Sequence, residues 1–481
     1  MAAFFIIGEK KIRPGVYFRY ENWGNPPIAG ADDGRCACVF KSNWGPLGVP
    51  VLLENFTEIQ RNYGNGGDNG TTDVPLEQFK GGARTVMAMR LGDPDLGTYG
   101  TYEIMDEIDF PVIKLTLAYP GSRKLAITIR PTLANPEVSE LLLLEDTTLI
   151  ERIFFSTPET PPTDYSMVDT LIAAAKNSVN FTLTKIDDST EPIAVIDQEP
   201  IIQGTEPTIT TQDYSNAFDV LEAYRWNVLA IDTNDTGIQE MTKLYLNRIL
   251  QGGKFSIGCI GDPSTIDYDV RLSRASGVYN DFQVIYVGNG FTDIDGNTIE
   301  GYKAAARISG MIAGTPSSNS ITHLAVDGAM NLTEPLSNNK HERAITAGML
   351  TFSNSSANTV WVEKGITSLA VLGNNEDAGW KSIKRVKVRF ELMQRLNDTV
   401  EVLVGRINND PDGRMAVVKA SNAVCTEMIA ERKLLAGAHC EVDANNPPQG
   451  DSAWFIIYAD DVEALEKLYF TFRFRFTPDL G

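Results

Sequence analysis

Histidine is almost absent from this sequence: three in 481 residues, at His323, His341 and His439, none within reach of another on a helix turn. That removes the HxxxH and HExxH pairs from which helical zinc sites are built. Cysteine is scarce too. Its five copies, Cys36, Cys38, Cys259, Cys425 and Cys440, are an odd number with no CxxC spacing, so neither a disulfide framework nor a cysteine zinc site is encoded. Cys36 and Cys38 fall on one face of a strand about 6.6 Å apart, at the edge of disulfide reach, and packing is their expected use. This usage fits a protein folded in a reducing cytosol. No run approaches the roughly 18 apolar residues of a membrane span. The opening "MAAFFIIGEKK" holds an apolar run too short for a signal-peptide core, with no basic region ahead of it.

Positive charge is also in short supply. With 42 basic against 63 acidic residues the formal net charge is −21, which lacks the basic footprint that phosphate contacts need and argues against nucleic acid or anionic membranes as partners. The motifs of catalysis are missing as well: there is no GxxxxGK[ST] and no GxSxG. "GNGFTD", Gly288 to Asp293, begins like GxGxxG but has Asp293 where the third glycine belongs, and is expected to be a plain turn. "DIDGNTIE", Asp293 to Glu300, offers oxygen ligands but places Gly296 fourth, where a calcium loop needs its glycine sixth; an Asp-Gly turn is the expected structure. Cys259 lies in an apolar stretch and reads as core. No catalytic residue, metal ligand or cofactor site is assigned.

What is present is a long chain with room for about three domains, and an ordinary globular composition. Residues 1–22 read as an N-terminal arm in which "GVYFRYEN" puts Val16, Phe18 and Tyr20 on one face of a strand. Residues 23–91 read as a small α+β domain. Residues 92–204 turn to alternating strands and are expected to form an inserted β-sandwich or barrel-like domain on the outer surface. Glu137 to Glu199 carries 13 acidic and 3 basic residues, a solvated face. In residues 205–372, "RWNVLAID", "KFSIGCIG" and "FQVIYVG" alternate with helical patterns such as "GIQEMTKLYLNRILQ", which implies a parallel sheet covered by helices. Residues 373–481 form an α+β C-terminal domain closing on a terminal strand at 467–477. The fold class is therefore α/β, multi-domain, with extended terminal arms.

Two features depart from an ordinary globular chain. Lys381, Lys384, Arg385, Lys387, Arg389 and Arg395 stand against Glu391 alone, a local charge of +5 that is either a solvated helix face or a docking element for an acidic surface. The ending "KLYFTFRFRF" aligns Leu468, Phe470, Phe472, Phe474 and Phe476 on one face of a strand roughly 30 Å long. Two apolar strands, one at each end of a chain, are poorly satisfied within a monomer and well satisfied by adding to another subunit's sheet.

At "ARISGMIAGTPSSNSITHLAV", "ERAITAGMLTF" and "VWVEKGITSL" the sequence resembles the sheath subunits of contractile phage tails and phage-tail-like (R-type) bacteriocins. The likeness extends through "VGRINNDPDGR" and "DDVEALEKLYFTF", and back to "RPGVYFRYEN", "QFKGGARTVMAMR" and "AYPGS". It implies a mechanical protein with a subtilisin-like α/β domain and no enzymatic activity. Such subunits stack as hexameric rings around an inner tube and contract to drive it through a cell envelope. It further implies self-association through both arms on a neighbour's C-terminal domain. Partners would be the inner tail tube, baseplate and tail terminator proteins, with assembly in a bacterial host's cytoplasm. The basic stretch 381–395 is then the expected tube-facing contact. An α/β hydrolase-like enzyme, or an adhesin acting through the β domain, are the competing expectations.

Overall fold

The computed structural model describes residues 34–157, 166–187, 191–374 and 376–474, together with the strands Ala3–Phe4 and Tyr17–Phe18. Its centre is a seven-stranded sheet. In chain order the strands are β1 (Arg35–Phe40), β2 (Val51–Leu53), β3 (Thr85–Arg90), β4 (Val228–Ala230), β5 (Ile257–Gly261), β6 (Val284–Val287) and β7 (Met349–Leu350). They lie side by side as β7-β6-β5-β4-β1-β3-β2, all parallel except β2, which runs antiparallel to β3 at the edge.

Four helices cover this sheet: α1 (Asp73–Gly81) and α4 (Tyr302–Gly314) on one face, α2 (Thr211–Leu221) and α3 (Thr236–Gln251) on the other. Each strand sends alternate residues into opposite cores. Cys36, Cys38 and Phe40 of β1 pack beneath α1 and α4, while Ala37 and Val39 pack beneath α2 and α3. Helix starts follow local chemistry. The Asp235 carboxylate accepts from the Ile238 N–H at 3.0 Å to open α3, and Thr210 and Asp213 close a capping box on α2.

The expectation of a separate α+β domain at 23–91 is corrected here. Its strands β1 and β3 sit in the middle of the sheet and β2 at its edge, so this segment and the 205–372 alternation build one domain. The physical reason is that "CACVF" and "TVMAM" are apolar on both faces, which suits a strand buried between two helical layers and not a half-exposed one.

From Tyr99 to Pro200 the chain forms two antiparallel sheets packed face to face. One is ordered Thr148–Ser156, Val138–Glu145, Ala126–Pro131, Ile196–Pro200, and the other Phe181–Lys185, Pro111–Pro120, Tyr99–Met105. Ile113, Leu115, Ile127, Leu141 and Leu143 fill the space between them. The insertion leaves and re-enters as a paired stem, with backbone hydrogen bonds in both directions between Thr98 and Thr205 at 3.1 Å. Arg90, 1% exposed at the end of β3, braces the junction. It donates to the carbonyls of Ser42 (2.9 Å), Gly45 (2.7 Å) and, inside the inserted unit, Pro120 (2.9 Å). Trp44 meets Tyr119 edge-on beside it at 5.2 Å.

The C-terminal part consists of α5 (Ile383–Glu401), α6 (Pro411–Ala430) and the antiparallel hairpin β8 (His439–Val442) and β9 (Phe455–Tyr458). Asp410 caps α6 through the Gly413 N–H at 2.7 Å, with Pro411 at the first helical position.

Candidate interaction surface

The carboxyl ends of β1, β4, β5 and β6 are where an α/β fold places its chemistry. Two buried carboxylates there are each engaged by neighbouring side chains. Asp232, fully buried beyond β4, accepts from Thr71 Oγ1 at 2.7 Å and Tyr214 Oη at 2.6 Å, and Lys41 Nζ lies 3.3 Å away. Asp262, beyond β5, is held by Tyr286 Oη at 2.7 Å and Arg274 at 2.6 Å. Among the described residues no three of His, Cys, Asp and Glu are grouped to hold a metal ion.

The histidines lie apart and are used in packing. His341 Nδ1 pairs with Thr351 Oγ1 at 3.1 Å, His323 stacks on Trp361 at 4.1 Å and His439 on Tyr458 at 5.1 Å. Cys36, Cys38 and Cys259 are free and wholly buried, and burial pushes their thiols up, Cys36 to about 12. "GNGFTD" runs into a short strand, Phe291–Asp293, and not a helix start. Asp293 turns its carboxylate onto the N–H groups of Asp295 (3.0 Å) and Asn297 (2.8 Å) in its own loop.

The basic stretch 381–395 lies on and just before α5, and its charge is consumed within the chain. Arg385 and Arg389 both bind Asp461, through their Nε atoms at 2.9 and 2.7 Å. Arg389 also reaches Asp377, and Arg395 is held by Glu391 and Glu431. Lys387 donates to the carbonyls of Ile312 and Thr315, Lys381 to that of Ala370, and Lys384 is buried. The six do not form a free positive face, which leaves the tube-facing expectation without the patch it was drawn from. The physical reason is that a count along 15 residues omits acids elsewhere in the sequence: Asp461 stands 72 positions from Arg389.

The C-terminal run behaves otherwise. Residues 462–474 form no strand, and Leu468, Phe470, Phe472 and Phe474 are 65%, 75%, 76% and 95% exposed. A strand needs an edge to pair with, and among the described residues none reaches it. Phe472 and Phe474 stack at 6.3 Å, so the apolar row is aligned even without a ladder. Phe476, and Val16 and Tyr20 at the other end, lie outside the described residues. Phe18 is in the strand Tyr17–Phe18, which pairs in parallel with Ala3–Phe4.

Further along α5, that helix, α6 and the hairpin enclose an open groove of about 520 Å³. It is lined chiefly by apolar side chains, among them Leu396, Val400, Val417, Phe455 and Ile457.

The root itself was not anticipated from sequence. Asp461, Glu463 and Glu466 precede the exposed run, and each is met by the body: Asp461 as above, Glu463 by Arg385 at 3.2 Å, Glu466 by Thr322 Oγ1 at 2.7 Å. Burial works against ionisation of Asp461, but hydrogen bonds from Arg385 and Arg389 more than offset it, holding the carboxyl below its ordinary value. The signal was the acidic "DDVEALE" facing, in charge, the basic run of α5.

Comparison with known proteins points the same way. Residues 208–368 match the family model of the phage tail sheath protein central domain. A solved sheath tail protein from Desulfitobacterium hafniense shares the fold with a TM-score of 0.68 and 17% identity, covering 93% of this chain and 100% of that one. The helical sheath of the anti-feeding prophage, solved in its contracted state, is similar with a TM-score of 0.55 and 11% identity over 97% of this chain and 99% of that one. The phage-like element PBSX protein XkdK of Bacillus subtilis strain 168 is 20% identical over 97% of this chain and 98% of its own length. The tail-sheath resemblance read from the sequence is borne out, as is the mixed α/β multi-domain fold.

Proposed function

We propose that this chain is the polymerising subunit of a contractile tail sheath, stacking as hexameric rings around an inner tube and contracting to drive that tube through a target envelope. The observation that carries the reading is the exposed apolar row Leu468, Phe470, Phe472 and Phe474, which pairs with no strand among the described residues yet starts from a root fixed on the body. Its counterpart at the N-terminus, around Phe18, would complete a pair of arms donated to neighbouring subunits. A subunit that gives an arm and receives one makes a heterologous contact, and such contacts propagate as rings and helices. The apolar groove beside β8 and β9 is the natural receiver, since backbone pairing with the hairpin edge would seat alternate side chains in it.

The role is mechanical. The subtilisin-like character of the central domain is then one of architecture, with its strand-end polar groups serving the fold. The acidic sandwich faces outward, where like charges keep particles apart. Tube, baseplate and terminator proteins are the other partners, and assembly takes place in the cytoplasm of a bacterial host.

The test is negative-stain microscopy of purified protein over a concentration series. Full-length chain is expected to give rings or tubes, and a chain lacking Leu468–Gly481 is expected to stay as folded, soluble subunits. Regular sheath from the truncated chain, or none from the full-length chain at any concentration, would overturn the proposal.

A further inference from the structure

The arm does not leave the body at a single point. At Asp461 it is tied to α5 by Arg385 and Arg389, and by backbone hydrogen bonds on either side, Leu435 N–H to the Asp460 carbonyl (2.8 Å) and Val462 N–H to the Lys433 carbonyl (3.0 Å). At Glu466 it is tied to a different part of the chain, where Thr322 Oγ1 donates at 2.7 Å and Lys364 Nζ stands 3.8 Å away. Beyond Glu466, no hydrogen bond or ion pair is made by residues 467–474 among the described residues.

A segment held at one point swings about it. One held at both ends of a six-residue stretch, five steps or roughly 17 Å when extended, has a fixed direction. The ties are of the kind that hold: Asp461 is 5% exposed, and its two partners are guanidinium groups bonding through fixed N–H geometry.

We propose that Arg385, Arg389, Thr322 and Lys364 are positioning residues that latch the root of the arm, so that the arm aims from Asp461–Glu466 and pivots only after Glu466. The aiming role rests on the reading of the terminal run as a donated arm; the latch itself does not. The latch also gives the basic stretch a use that replaces a partner contact: its charge sets where a 15-residue extension, with a reach on the order of 50 Å, goes looking for its neighbour.

Hydrogen exchange read by mass spectrometry on the full-length chain, below the concentration at which it polymerises, tests this. In Arg385→Ala/Arg389→Ala, exchange across residues 459–467 is expected to rise about tenfold or more, with α5 and the β8–β9 hairpin unchanged. Arg385→Lys/Arg389→Lys is expected to recover part of the protection. Because the double alanine variant removes charge from α5, Glu466→Ala serves as a second probe that leaves the helix intact while removing the acceptor for Thr322, and its faster exchange is expected to be confined to 463–467. At polymerising concentration both the double alanine and the Glu466→Ala chains are expected to give assemblies of irregular width. Unchanged exchange at 459–467, an equal rise throughout α5, or fully regular polymers from a chain with a released root would each overturn the proposal. Failure of the wild-type chain to polymerise would sink the sheath reading alone, since the exchange measurement still reads the latch.

Discussion

The guanidinium of Arg307 lies 2.7 Å from the carboxylate of Glu77, joining α4 to α1 with both side chains 2% exposed. A second bond, from Arg307 Nε at 2.8 Å, falls on the same oxygen, Glu77 Oε2, while Lys80 Nζ stands 3.2 Å from Oε1. Removing Glu77 leaves Arg307 charged and buried, so Glu77→Gln is expected to cost about 3–5 kcal/mol, and Arg307→Met less because Lys80 still faces Glu77. The double change Glu77→Leu/Arg307→Met is expected to recover much of the loss. Urea midpoints of the four chains check this; equal losses in single and double variants would show that the pair is not coupled.

The same two helices touch through glycine. A Cβ on Gly310 would come within 2.0 Å of the Gln78 carbonyl oxygen, a backbone atom with nowhere to go. Gly310→Ala is therefore expected to force α4 away from α1 and destabilise by about 1–3 kcal/mol or more. Gly277, whose added Cβ meets nothing within 4 Å, is the control, and Gly277→Ala is expected to leave the thermal midpoint within a degree or so of wild type.

Thiol chemistry should be silent in the folded state. All five cysteines are buried and free, and burial raises the Cys36 thiol to about 12, well above the ordinary value. Since the thiolate is the reactive form, a thiol reagent at pH 8 is expected to find no fast-reacting group until denaturant is added, and then five. A single rapid thiol in the native chain would revive the enzyme reading that the sequence left open.

Acid should weaken the fold through His341. Burial lowers its pKa, with Glu363 opposing to a smaller extent, so the folded state holds it neutral. Below the unfolded value of about 6.5 the unfolded chain binds the extra proton first, and stability falls as pH drops from 7 toward the folded value. Comparing thermal midpoints at pH 7 and pH 5, the wild-type chain is expected to lose more than His341→Gln. An equal loss in both would assign the acid sensitivity elsewhere.

The βαβ alternation of residues 205–372 was legible because it is local: Ile257–Gly261 and Val284–Val287 are apolar runs bounded by turns, and α3 and α4 show helical spacing over three or more turns. The placement of β1 was not, although its residues were read correctly as a strand, because which neighbours a strand takes is decided by contacts about 190 residues away, Cys36 opposite Val228. The basic stretch shows the same limit in electrostatics. Its charges were visible, but their partners at Asp377, Glu431 and Asp461 are brought near only by the fold. The terminal run was legible in its alternation and not in its state, since a strand is a property of a pair of segments and the described residues offer this run no second one.

Arg90 has a mechanical corollary. Three carbonyls from two domains converge on one rigid, fully buried guanidinium, next to a paired stem and the Trp44–Tyr119 contact. A junction bonded in several directions at once has no free rotation axis. The sandwich is therefore braced against the central sheet like a lever: a force applied at its far end would arrive at the sheet as torque.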